Sequence, residues 1–174
     1  MQDKLIDAVL HHYRSVIGND FLRYRNHVCR VYHNCHILDP SPDNSIRYAY
    51  AAIFHDIGIW TDRTFDYIPP SIKKAAEYLK ANDADALCDE ITTMIAWHHK
   101  ISSYAGKYAS TVECFRKADW IDVTFGLVGG NHARKDFRSI RHSYPSHGFH
   151  RFLLRQSAIN TLRHPLNPLP MFRR

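Results

Sequence analysis

The chain has no long apolar run, no Cys-x-x-Cys pair, no block of Lys and Arg, no internal repeat and no clear strand alternation. Each absence removes a class of protein. A membrane helix needs about 20 consecutive apolar residues, and the charged start with Asp3, Lys4 and Asp7 does not read as a signal peptide. A cytoplasmic location is therefore the expectation, with no membrane partner. The four cysteines, Cys29, Cys35, Cys88 and Cys114, lie in helical patterns without the spacing of a zinc knuckle or a disulfide framework. They read as small core residues. The formal charge of +6 favours anionic ligands, but the basic residues are dispersed and form no zinc-finger or RNA-binding signature, so nucleic acid is not expected as a partner.

No shift in composition divides the 174 residues, and 45% hydrophobic with 23% charged residues fits neither a disordered nor a fibrous chain. One domain over 1–174 is expected, with a motif core at about 30–122 and a C-terminal helical extension at about 131–174.

What is present is helical period. Leu5, Val9, His12 or Tyr13 and Val16 predict a first helix closed by Gly18. Asn19 or Asp20 can cap a second, carrying Phe21, Tyr24, Val28, Val31 and His33 toward Leu38 before Pro40 and Pro42 stop it. A third, from Asp43 or Asn44 through Ile46, Ala49, Tyr50, Ile53 and Ile57, is expected to end at Gly58 with His55-Asp56 in its last turn. Ile59 to Pro70 reads as a loop, and Pro69-Pro70-Ser71 as the start of a helix with Ile72, Ala75, Ala76 and Leu79. Helices at about Asp83 to His98 and Ser110 to Phe125 follow, then a break at Gly129-Gly130-Asn131. Two weaker helices, the last around Gly148 to Leu162, precede a Pro-rich tail ending in Met171-Phe172-Arg173-Arg174. The class is all-α, a bundle of about six to eight helices.

The chemistry concentrates in Ala51-Ala52-Ile53-Phe54-His55-Asp56-Ile57-Gly58, an apolar run ending in an imidazole and a carboxylate. Buried polar heads need partners, and a metal ion satisfies both at once. Upstream stands Tyr32-His33-Asn34-Cys35-His36; downstream, Val112, Phe115, Asp119 and Asp122 share one helical face. Three helices would converge with His33, His55, Asp56 and Asp119 as the ligands. Such mixed imidazole and carboxylate ligation suits one divalent ion, of Mn, Fe, Co, Ni, Zn or Mg, with positions left for water and a substrate oxygen.

The order His, then His-Asp, then Asp resembles the HD superfamily of metal-dependent phosphohydrolases over roughly Arg30 to Asp122. The Tyr-His-Asn and Phe-His-Asp elements are most similar to small bacterial HD phosphohydrolases. The resemblance implies the same four ligands in a helical bundle, and hydrolysis of a phosphomonoester or phosphodiester, of a nucleotide or related small metabolite. Binuclear relatives carry two further histidines between the His-Asp and the last Asp. His98-His99 resembles the second, while the first is replaced near Ser71, so a mononuclear site is expected.

Around that set, Asp122 could be a partner of a ligand or a general acid, and His36 a partner or merely packed. His98 follows Ile91, Met94 and Ile95 on the inward stripe, whereas His99 falls off it. The loop after the dyad offers Asp62 or Asp66 as proton donor to the leaving group and Arg63 as a phosphate contact; Arg30, Lys73 and Lys74 are further phosphate candidates. His132, His142, His147, His150 and His164 read as surface residues. Two other functions stay open: an HD-type iron oxygenase, which needs the extra histidines, and a metal- or nucleotide-binding module without turnover.

Overall fold

The longest helix runs through the middle of the protein and buries four polar side chains, Asn26, His27, Arg30 and Asn34. In the computed structural model, which describes residues 2–129 and 134–172, the chain forms α1 (Asp3–His12), α2 (Arg14–Ile17), α3 (Phe21–Leu38), α4 (Ser45–Phe54), α5 (Gly58–Thr61), α6 (Ile68–Ala81), α7 (Cys88–Trp97), α8 (Ala109–Val123), α9 (Arg134–Ser143) and α10 (Phe149–Arg163). No strand occurs among the described residues, as the helical periodicity requires. Eight of these helices have ten residues or more, and α2 and α5 are single turns. The break at Gly130-Asn131, His132 and the final Arg173-Arg174 lie outside the described residues.

α3 buries Tyr24, Val28, Val31 and Cys35, spaced to keep one face turned inward. It packs on α8, α4, α1 and α9. In α4 the inward residues include Ala49, Ala51 and Ala52, whose small side chains let α3 and α7 come close. Two buried hydrogen bonds fix the register: the Tyr24 hydroxyl donates to the Ile53 carbonyl (2.7 Å), and the Asn34 amide donates to the Ala118 carbonyl (3.1 Å). Ile53 and Ala118 stand within two residues of His55 and Asp119. No described helix is long and apolar enough to cross a membrane.

The third helix differs from its sequence pattern in one respect. α4 stops at Phe54, His55-Asp56-Ile57 form a turn, and Gly58 opens α5 instead of ending the helix. The glycine is required for space. A Cβ there would stand 2.5 Å from the Tyr67 carbonyl oxygen and 2.9 Å from Pro70 Cγ. Its N–H donates to Ser71 Oγ (3.0 Å), tying the His-Asp turn to the start of α6. Pro69 and Pro70 lie in the first turn of α6, where a missing N–H costs nothing. The first helix of the sequence pattern is divided at Tyr13 into α1 and α2, and Gly18, with φ +61, closes α2.

After α8 the character changes. α9 and α10 bury only Phe137 and Phe149, and the chain then returns to the core through Pro170 and Met171. The Asn160 amide of α10 holds this return by donating to the Pro168 carbonyl (2.8 Å).

Candidate metal centre

Three imidazoles point the same nitrogen at one small volume. The Nδ1 of His27 lies 2.7 Å from Asp122 Oδ2, that of His55 2.8 Å from the Ala52 carbonyl, and that of His98 2.6 Å from the Ile95 carbonyl. Each of these oxygens can only accept, so each Nδ1 carries the proton. A neutral imidazole has a single N–H. With the rings neutral, all three Nε2 atoms present lone pairs, and those of His27 and His55 are only 2.9 Å apart. Asp56 Oδ2 is 3.4 Å from His55 Nε2 and 3.5 Å from His27 Nε2, and Asp56 Oδ1 is 3.4 Å from His98 Nε2. Asp119 Oδ1 stands 3.5 Å from His27 Nε2 and 3.7 Å from His55 Nε2.

The result is five acceptor groups with no donor among them, all at most 3% exposed. Asp56 Oδ1, both oxygens of Asp119 and His98 Nε2 have no hydrogen-bond partner among the described residues. Such a set is stable only around a positive charge. His27, His55 and Asp119 bring ligand atoms within 4.8 Å of one another, the reach of one metal ion, and Asp56, His98 and His99 form a second such group. The donor set fits a borderline divalent cation.

Without an ion, protons take the place of the cation. Burial opposes charge on His27, but hydrogen bonds to Asp122 and Asp56 outweigh it and raise its pKa to about 9. Burial pushes His55 down to about 3, with the His27 and His98 charges acting in the same direction. Burial, together with the neighbouring Asp56 and Asp122, raises Asp119 to about 6. Asp122 goes the other way: burial is overcome by His27 and Arg30, which hold it well below the usual carboxylate range.

Asp122 is built to aim His27. Arg30, itself 1% exposed, donates from Nε to Asp122 Oδ1 (2.6 Å) and from Nη2 to Oδ2 (2.9 Å). The fixed carboxylate then fixes the imidazole, the usual arrangement behind a histidine ligand. On the other side, Phe149 stacks on His27 with ring centres 4.1 Å apart. Tyr67 covers the opposite end, its hydroxyl hydrogen-bonded to His99 Nε2, and the Phe172 ring lies 5.5 Å from that of His99.

The structure brings together His55, Asp56 and Asp119 but not His33. His33 Nε2 bonds instead to Asp3 Oδ1 (2.9 Å) and the Tyr144 hydroxyl (3.0 Å), tying α1 and the end of α9 to α3. The reason is angular: at about 100° per residue, His33 stands roughly 200° round α3 from Val31, off the inward face. His27 occupies that face, one turn after Tyr24. His98 turns inward as its stripe requires, but His99 also reaches the centre, because α7 ends at Trp97 and a turn carries both histidines. His36 meets Ser45, away from the centre (3.2 Å). Arg30 is engaged by Asp122, and Lys73 and Lys74 pair with Glu77 on α6. Ser71 is taken up by Gly58. His150 is no plain surface residue: it is half-buried, with Nε2 3.0 Å from the Asp122 carbonyl. Asp62 is exposed, next to Thr61 (2.7 Å). Arg63 lines a cleft of about 350 Å³ with Gln156, Asn160, Arg163 and His164. Asp66 is half-buried, directly before Tyr67.

A sequence model of the HD domain matches residues 24–124, more than half of the chain and all of α3 to α8 apart from the first residues of α3. The chain belongs to the HD-domain family. Most of that family are metal-dependent hydrolases, and the buried His/Asp group of this HD domain can hold a metal ion. The match begins upstream of Arg30 and so takes in His27. No curated protein and no solved structure matches the chain.

Proposed function

We propose that this HD domain is a divalent-metal-dependent phosphohydrolase acting on a phosphomonoester or phosphodiester of a nucleotide or related small metabolite. The observation that carries the reading is the convergence of His27, His55, Asp56, His98 and Asp119 as five buried acceptors without a donor. His27, His55, Asp56 and Asp119 would hold one ion of Mn, Fe, Co, Ni, Zn or Mg. When bound, such an ion lowers the pKa of a coordinated water and polarises a phosphoryl oxygen.

The chain's own residues set the geometry for that chemistry. Asp122, clamped by Arg30, holds His27 with its lone pair turned inward; the Ala52 and Ile95 carbonyls do the same for His55 and His98. Arg63 and Arg163 both line the cleft formed with the loop that follows the dyad, and Arg63 is the proposed phosphate contact. Asp62 or Asp66 of that loop remains the proposed proton donor to the leaving group. The test is metal analysis of purified protein, followed by a phosphoester panel with each ion added. Hydrolysis with none of them would leave a binding module without turnover.

The group formed by Asp56, His98 and His99 favours a second reading, in which Asp56 serves two ions and the scaffold is that of an HD-type iron oxygenase. One equivalent of metal per chain supports the hydrolase reading. Two equivalents, one of them lost on His99→Ala, would support the other.

A further inference from the structure

α9 and the turn after α8 enclose a cleft of about 670 Å³ on the far side of His27 from its inward nitrogen. Its charged lining is of one sign, that of Arg30, Arg134, Arg138 and Arg141, with His142 and His150 beside them and no carboxylate among the described lining residues. Arg134, Arg138 and Arg141 follow one another at i, i+4 and i+7, so they share a face of α9. Among the described residues none of the three has an ion-pair partner. The acids close in sequence are spoken for. Asp122 is saturated by Arg30 and His27, and Asp136 is exposed, two residues on from Arg134 and so roughly 200° round the helix.

The wall is also held in place before anything binds. The Arg141 guanidinium lies 4.6 Å over the Phe125 ring, which stacks on His150 at 3.9 Å. Phe137 anchors α9 beneath the cleft, 2% exposed. Like charges gathered in a concavity focus the field and raise the local concentration of anions. Guanidinium groups match phosphate oxygens in bidentate geometry. Seven residues separate Arg134 from Arg141, about 10 Å along the axis at a rise of about 1.5 Å per residue, which is longer than a single phosphate group. The volume is that of a small-molecule site, typically about 300–1,000 Å³.

We propose that this cleft is a second anion site, separate from the metal centre, that takes a small, multiply phosphorylated molecule along the arginine face of α9. Arg30 is shared by both places, since it lines the cleft and clamps Asp122. The proposal does not depend on hydrolysis at the metal centre, because its readout is binding alone.

The test is calorimetric titration of the full chain with sodium tripolyphosphate, without added divalent ion, for wild type, R134Q/R138Q and the control K80Q/K107Q. The control removes the same charge from exposed lysines that line no part of the cleft. Wild type should bind about one equivalent saturably, R134Q/R138Q at least tenfold more weakly, and K80Q/K107Q within twofold of wild type. Equal weakening in both double variants would reduce the effect to net charge and overturn the site. So would unchanged affinity in R134Q/R138Q, absence of saturable binding by wild type, or a single-stranded RNA oligomer binding far more tightly than tripolyphosphate and displacing it. If R134Q/R138Q fails to fold, R138K keeps the charge and alters the fork; a threefold or greater loss is expected, and none would overturn the proposal.

Discussion

Between Tyr24 and Thr124 the ionisable groups at the centre are closed off: His27, His55 and His98 are 0% exposed and Asp119 and Asp122 1%. From Arg134 to Arg163 two helices bury one phenylalanine each and leave Leu154 and Leu162 at 72% and 84% exposure. The buried centre of the first region removes charges from water and must compensate each of them, so its residues are interdependent. The second keeps its charges hydrated and is held by a few anchors, so its surface is free to serve a ligand. Position in the chain follows the same division, since α9 and α10 lie beyond the residues that the HD-domain model matches.

The largest effect should come from the acceptors themselves. Asp56→Ala and His27→Ala should each lose the bound metal and reduce phosphoester hydrolysis to background, whereas His33→Ala should keep both; metal analysis and turnover on the same preparations decide it. Metal retained by His27→Ala and lost by His33→Ala would reverse the assignment.

Arg30→Ala tests the interdependence directly. It strands Asp122 as a buried carboxylate without its clamp, a loss typically of about 3–5 kcal/mol. Urea denaturation should show it as a lower midpoint at an unchanged slope. A loss below about 1 kcal/mol would mean that the region tolerates uncompensated charge.

Protons should compete with metal in a predictable direction. His27, raised to about 9, contributes stability to the metal-free fold that is full below about 6.5 and lost as pH rises through 9. Asp119, raised to about 6, likewise favours its protonated form, and that contribution disappears between 3.8 and 6. His55, depressed to about 3, has its contribution intact above 6.5 and loses it as pH falls through 3. The gain in melting temperature on adding metal should therefore grow from pH 6 to pH 8.5, as the proton on His27 becomes easier to displace. A gain that shrinks over that range would contradict the proton on His27.

The smallest effect belongs to the exposed helix. Leu154→Ser and Leu162→Ser on α10 should each change stability by no more than about 0.5 kcal/mol, measured by the same denaturation. A larger loss would show that α10 is packed against something further.

The helices were legible because period 3.6 survives even in polar stretches, and α8 announces its inward acids through Val112, Phe115 and Ala118. His27 was not, although it lies one turn from Tyr24 and one turn before Val31 on the same face. It stands in the run Arg25-Asn26-His27, which reads as a solvated surface, while Tyr32-His33-Asn34 looks more like a motif. The usable signal was angular: His27 fits the face of Val28, Val31 and Cys35, and His33 does not. Asp122 as the aiming residue could be seen from its face but not its partner, since Arg30 is 92 residues away. The arginine cleft was illegible for the same reason, as its lining comes from α3, the turn after α8, α9 and the start of α10.

The cover over the centre has a consequence in time. Tyr67, Phe149 and Phe172 lie against the histidines of the centre, so anything reaching them must wait for a side chain to swing aside. Exchange is then governed by opening, not by affinity. An ion captured while the chain folds should resist a chelator for far longer than its equilibrium constant suggests, and the metal found in the purified protein would record the conditions of its synthesis.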